Sequence, residues 1–268
     1  MNQTFSLTRF ARLNRWFWAT KRRTYLIAAL ALIPIIMLVP SQVLSNDHIF
    51  QLGVQRNNIL YYNFLALLVT FSIGSDVFSA LFRQESAISY LMIPASRTEK
   101  FWLGALYCIV ALLLLSIAYF GYEAIVFNIA NSRLLPTETD RYVSTLIFNY
   151  TSIYGDKDFL LLIPYFLFTS LAISLIGSFF FRRGVFIRNV GSVLILTIGL
   201  LFLYRWIVGM VSGEGVGTAL PFYQIAVHTS KSNYELLGPP DWLKHSAYAG
   251  MLLAFWVIAR VRFNEIER

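Results

Sequence analysis

The chain has 268 residues, of which 57% are apolar or aromatic and only 13% charged, about half the charged share of an ordinary soluble domain, ~25%. A soluble fold would have to leave much of that apolar surface exposed, whereas a bilayer accommodates it. The formal net charge is +8 and there is one cysteine, Cys108, so a disulfide framework is excluded and the placement of the basic residues becomes the useful signal.

The first 23 residues carry Arg9, Arg12, Arg15, Lys21, Arg22 and Arg23 and lack the apolar core and small-residue site of a cleavable signal peptide. Over residues 5–20, Leu7, Phe10, Ala11, Leu13, Phe17 and Trp18 fall on one helical arc and Arg9, Arg12 and Arg15 on another. Basic residues set against aromatics predict an amphipathic helix lying on an anionic membrane surface. The imperfections are Phe5 and Trp16, on the basic side.

Crossing ~30 Å of hydrocarbon takes about 20 apolar residues in a helix. Six stretches meet that length, at Tyr25–Val43, Ile59–Phe82, Phe101–Ile129, Phe159–Phe181, Val190–Val211 and Trp242–Val261. The first contains Pro34 and Pro40, which spans tolerate better than soluble helices. Fifteen basic residues fall before the first span, between the second and third, between the fourth and fifth, and after the sixth, against six in the three opposite loops. The bias places both termini in the cytoplasm, in a multi-pass protein of the inner (cytoplasmic) membrane. The expected fold is all-α, one transmembrane domain over 1–268: a cytoplasmic amphipathic helix over 1–23, six spans within 24–262 and a cytoplasmic tail over 263–268.

The connection between the second and third spans is the most informative polar segment. Ser96 followed by Glu99 forms a capping box ahead of the apolar third span. Pro94 disfavours a helical Ile93 and so ends any helix over Ser86–Met92. A short helix, a sharp break and a newly capped span result, with Leu91, Met92 and Ile93 offering apolar side chains where water is expected. On the opposite side, Ala219–Val227 is apolar but too short to span and reads as a re-entrant or interfacial turn. Pro239-Pro240 then resets the chain, with Asp241 as N-cap of the sixth span.

Three ionisable residues lie inside spans: Asp76, Glu123 and Arg205. Such groups are costly in hydrocarbon and face protein or water. Glu123 and Arg205 sit at comparable depth and are expected to pair if their helices are neighbours. Ser170, Ser174 and Ser178 form a stripe suited to close helix packing. The glycines at 213–217 lack the lysine of a phosphate loop, and no metal-ligand spacing or nucleophile elbow is present. Neither catalytic residues nor a cofactor or metal is expected.

This organisation, and the stretch Leu91-Met92-Ile93-Pro94-Ala95-Ser96-Arg97-Thr98-Glu99-Lys100-Phe101, resembles the membrane permease subunit of bacterial type-2 ABC exporters. The resemblance covers most of the chain in architecture and about a dozen residues in motif. It implies that the helix before Pro94 is a coupling helix docking on a separate cytoplasmic ATP-binding subunit through Tyr90, Leu91, Met92, Ile93, Ser96 and Glu99. It further implies a dimer with a second permease copy or homologue, contact with membrane lipids, no nucleic acid, and ATP hydrolysis by the partner. An ion-coupled secondary transporter would instead use Asp76, Glu123 or Arg205, and a membrane scaffold or assembly factor would need no polar path.

Overall fold

In the computed structural model the described residues are 5–45, 50, 52–78, 90, 92–135, 141–143, 158–181, 184–212, 216–218, 225–228, 233–236 and 240–266. Six long helices account for most of them: α1 Leu7–Leu38, α2 Leu52–Val77, α3 Arg97–Arg133, α4 Asp158–Phe180, α5 Val185–Ser212 and α6 Asp241–Ile266. A 3-10 helix over Pro40–Ser45 follows α1. Among the described residues, α1, α2, α3, α5 and α6 are long and apolar enough to cross a membrane, and α4 is apolar over Leu167–Phe180. The chain is a multi-pass membrane protein whose membrane-crossing part is all-α.

Several boundaries differ from the sequence-based expectation. Instead of a surface helix followed by a separate span, α1 is one 32-residue helix. No proline or glycine interrupts Leu7–Ile33, so nothing breaks the backbone hydrogen bonding between the basic segment and the apolar one. Its apolar arc divides accordingly: Leu13 and Phe17 are buried in the bundle, while Leu7 and Trp18 are exposed. Pro34 lies inside the helix. α2 begins earlier than expected, residues 79–82 of that expected span lie outside the described part, and α6 continues to Ile266 through residues expected in the tail. Asp241 is the first residue of α6 rather than its cap; the Pro240 carbonyl accepts from the amides of Leu243 and Lys244.

The segment between α5 and α6 also departs from expectation. Val216–Thr218, Ile225–His228 and Asn233–Leu236 form a three-stranded antiparallel sheet, β1 to β3 in sequence order. Ile225 pairs with Leu236 and His228 with Asn233. Ile225–Val227, expected within a re-entrant turn, is therefore strand, and residues 219–224 lie outside the described part. A short apolar run bounded by turn residues suits a strand as well as a helix, and periodicity does not separate the two.

At the centre, α2 packs on α3, α4 and α5, while α4 also packs on α6, and α3 on α1 and α6. The serine stripe faces inward: Ser170, Ser174 and Ser178 are all buried. Ser174 Oγ donates to the Thr70 carbonyl at 3.2 Å, across the α2–α4 contact. Gly74 lies opposite, and a Cβ there would overlap the Ser174 side chain. Small residues thus bring these two backbones close, the packing that replaces hydrophobic attraction between helices in lipid.

Four phenylalanines close the core where α2 and α4 end and α3 begins. Phe78, just past the end of α2, lies 4.9 Å from Phe179 of α4 and 5.2 Å from Phe263 of α6, centroid to centroid. Phe101 of α3 reaches Phe263 at 5.7 Å. Gly104 makes room, since a Cβ there would run into the Phe78 ring. This cluster holds the first turn of α3 against the last turns of three neighbouring segments.

Candidate functional site

The first turn of α3 is built by its own sequence. Ser96 has extended dihedrals (φ −69°, ψ 154°), so its side chain turns back over the helix start. The Glu99 amide donates to Ser96 Oγ at 3.2 Å, and the Ser96 amide donates to Glu99 Oε2 at 2.9 Å. The expected capping box is formed, satisfying two of the amides that a helix start leaves without partners. Upstream, the Ala95 amide donates to the Ile93 carbonyl at 2.8 Å, a tight bend at Pro94, where the chain was expected to break.

Glu99 has a second task that its spacing does not reveal. Its other oxygen, Oε1, accepts from the backbone amide of Ser6 at 2.7 Å and from Arg9 Nη2 and Nε at 3.0 and 3.3 Å. One carboxylate therefore caps α3 with one oxygen and fastens the start of α1 with the other, 90 residues away in sequence. Glu99 is completely enclosed, while the Arg9 side chain is 33% exposed. Hydrogen bonds to a charged group contribute about 1.5–3 kcal/mol each, and here they converge on one buried anion.

The C-terminal helix is fastened to the same turn. Arg260 of α6 donates to the Arg97 carbonyl at 3.2 Å and to Thr98 Oγ1 at 2.7 Å, and its guanidinium lies 5.1 Å from the Phe101 ring centroid. The starts of α1 and α3 and the last part of α6 thus meet at one junction.

The residues before Pro94 divide in role. Tyr90 is buried, with its ring 6.3 Å from that of Trp16 and 5.0 Å from Lys100 Nζ. It faces the junction instead of projecting as a docking tip; a phenol ring beside a cation and an indole is better packed inward than exposed. Met92 is 80% exposed, and Ile93 packs partly against the inner core. Leu91 and residues 86–89 of the helix expected over Ser86–Met92 lie outside the described residues.

The intramembrane candidates occupy three separate settings. Both oxygens of Asp76, near the end of α2, lie 2.8 Å from Lys21 Nζ of α1. In the sequence Lys21 reads only as a flanking charge; the unbroken length of α1 is what brings it to Asp76. Glu123 is fully buried on α3, one turn beyond the equally buried Tyr119. Tyr119 Oη donates to the Asn58 carbonyl at 2.8 Å, and the Asn58 amide nitrogen is buried without a hydrogen-bond partner. Arg205 is exposed on α5, which packs on α2 and α4. The two charges expected to pair therefore sit in unlike surroundings, one enclosed in α3 and one on the open face of α5.

Among the described residues no three His, Cys, Asp or Glu side chains converge as a metal site requires. Arg9 and Arg260, the partners that make the junction, were missed because charge patterning marks both merely as basic flanks. Comparison with family models, with curated proteins and with solved structures finds no match to this chain.

Proposed function

We propose that this chain is the permease subunit of a type-2 ABC exporter, forming the translocation path and driven by a separate cytoplasmic ATPase. In this reading both termini face the cytoplasm of the inner membrane, as the excess of Lys and Arg around α1, α3 and α6 supports, and the chain works as a dimer with a second copy or a homologue. The observation that carries the reading is the Glu99 junction. The segment between α2 and α3, where such permeases meet their ATPase, does not end freely; it runs into a helix start hydrogen-bonded to Ser6 and Arg9 of α1. Exposed Met92 lies four residues from the cap. A displacement applied at Met92 would be carried into α1 and α3 together through a buried charge-assisted contact rather than absorbed by a loose loop.

The test is reconstitution with a phosphate-loop ATPase encoded beside this chain. The wild-type chain should co-purify with it and stimulate MgATP hydrolysis in proteoliposomes, and Leu91→Asp/Met92→Asp should lose both while remaining folded in detergent. Unchanged co-purification and hydrolysis in the double variant would refute docking through this segment.

A further inference from the structure

A groove of about 530 Å³ lies beside the junction, lined by Phe5, Phe10, Thr98, Trp102, Leu106 and Ile109. The volume falls within the range of about 300–1,000 Å³ typical of small-molecule sites. Five of the six lining side chains are apolar, and the one hydroxyl, Thr98, stands at the first turn of α3. From Thr98 to Ile109 the groove follows α3 for eleven residues, roughly 16 Å along its axis. Its far wall is Phe10 of α1 and Phe5 just before that helix, their rings 5.6 Å apart. Trp102 is half exposed and stacks on Trp256 of α6, the kind of aromatic pair that collects at a membrane–water boundary.

The residues just outside the Thr98 end of this groove are cationic. Arg260 Nη2 lies 2.7 Å from Oγ1 of Thr98, one of the lining residues. Arg9, a third exposed, is one residue before Phe10, and Arg12 and Arg15 are exposed further along α1. The acid of the junction, Glu99, is fully enclosed and already accepts from Arg9, Ser6 and Ser96. An occupant that reaches past Thr98 therefore meets positive charge beyond that end and apolar side chains, three of them aromatic, along the rest. An amphiphile with an anionic head matches the charged flank and the apolar lining at once.

We infer that this groove binds one anionic phospholipid, with its phosphate at Arg260 and Arg9 and one acyl chain along Trp102, Leu106 and Ile109. The lipid would sit between α1 and α3 and brace the contact that Glu99 makes. The inference is independent of the permease reading.

Native mass spectrometry of the full chain in mild detergent tests it, titrating phosphatidylglycerol against phosphatidylcholine with identical acyl chains. One phosphatidylglycerol should be retained per chain, with a preference of about fivefold for each basic residue at the headgroup. Leu106→Trp fills the groove from a partly exposed position and should remove the bound lipid with the helical circular dichroism unchanged. Arg260→Gln should reduce the preference for the anionic headgroup while leaving lipid of both kinds able to bind. Equal retention of the two lipids, retention undiminished in Leu106→Trp, or a lipid-free doubling of mass showing a second copy in the groove would each overturn the assignment.

Discussion

Two glutamates lie fully buried on the same helix, Glu99 at its start and Glu123 some 24 residues on, about 36 Å along the axis. Glu99 is met by amides from two segments and by a guanidinium, and the elements it joins are far apart in sequence. Glu123 lies a turn from Tyr119 in a region rich in tyrosine, with the unsatisfied Asn58 amide close by on Tyr119's bonding partner. One buried acid serves as a fastener with identified donors at hydrogen-bond distance. The other lies far from that junction, one turn from Tyr119, whose hydroxyl bonds the Asn58 carbonyl. Burial by itself thus says little about what an acidic residue does; at Glu99 it is the donors gathered from two distant segments that decide.

The largest expected effect breaks the fastener. Glu99→Ala removes the acceptor shared by Ser6, Arg9 and Ser96 and leaves the Arg9 charge beside a buried, empty site. Removing one member of such a pair costs about 3–5 kcal/mol, measured as lost stability in denaturant titration of detergent-solubilised protein. Adding Arg9→Gln should recover part of that loss, because the uncompensated charge goes with it. If Glu99→Ala proves as mild as an ordinary surface change, the junction does not hold the helices together.

A smaller change separates the two tasks of Glu99. Ser96→Ala deletes the cap hydroxyl but leaves the bonds of Glu99 to Ser6 and Arg9, so the expected loss is about 1 kcal/mol. The same titration reads it. A loss equal to that of Glu99→Ala would mean that the cap, not the link to α1, dominates.

The smallest effect concerns the far glutamate. Sequence position suggests that Glu123 pairs with Arg205, but the first is enclosed in α3 and the second exposed on α5. Combining Glu123→Gln with Arg205→Gln should therefore give additive stability changes, with coupling below about 0.5 kcal/mol. Coupling of several times that size would show that the two side chains meet after all.

Much of the architecture is legible in the sequence, because long apolar runs, the serine stripe and the capping box are local or periodic signals. Ser96 and Glu99 cap α3 through atoms three residues apart, and six helices arise where six apolar stretches were expected. Element ends were less legible. α1 absorbs the predicted surface helix since no residue between Leu7 and Ile33 stops it, and a short apolar run in the α5–α6 segment becomes strand. Tyr90 turns inward because its preferred neighbours, Trp16 and Lys100, are supplied by other turns of the fold.

Sequence alone determined that this chain crosses a membrane several times, where α3 must start, and that Glu99 must be near Ser96. Tertiary structure alone decided which of many arginines reaches Glu99, that Lys21 neutralises Asp76, and that α6 returns through Arg260 to the start of α3. The physical reason is range. Capping and hydropathy act over one turn or one span and are written in spacing. An ion pair between residues 90 positions apart depends on how whole helices pack, and every basic residue in a flank has the same charge until packing chooses one.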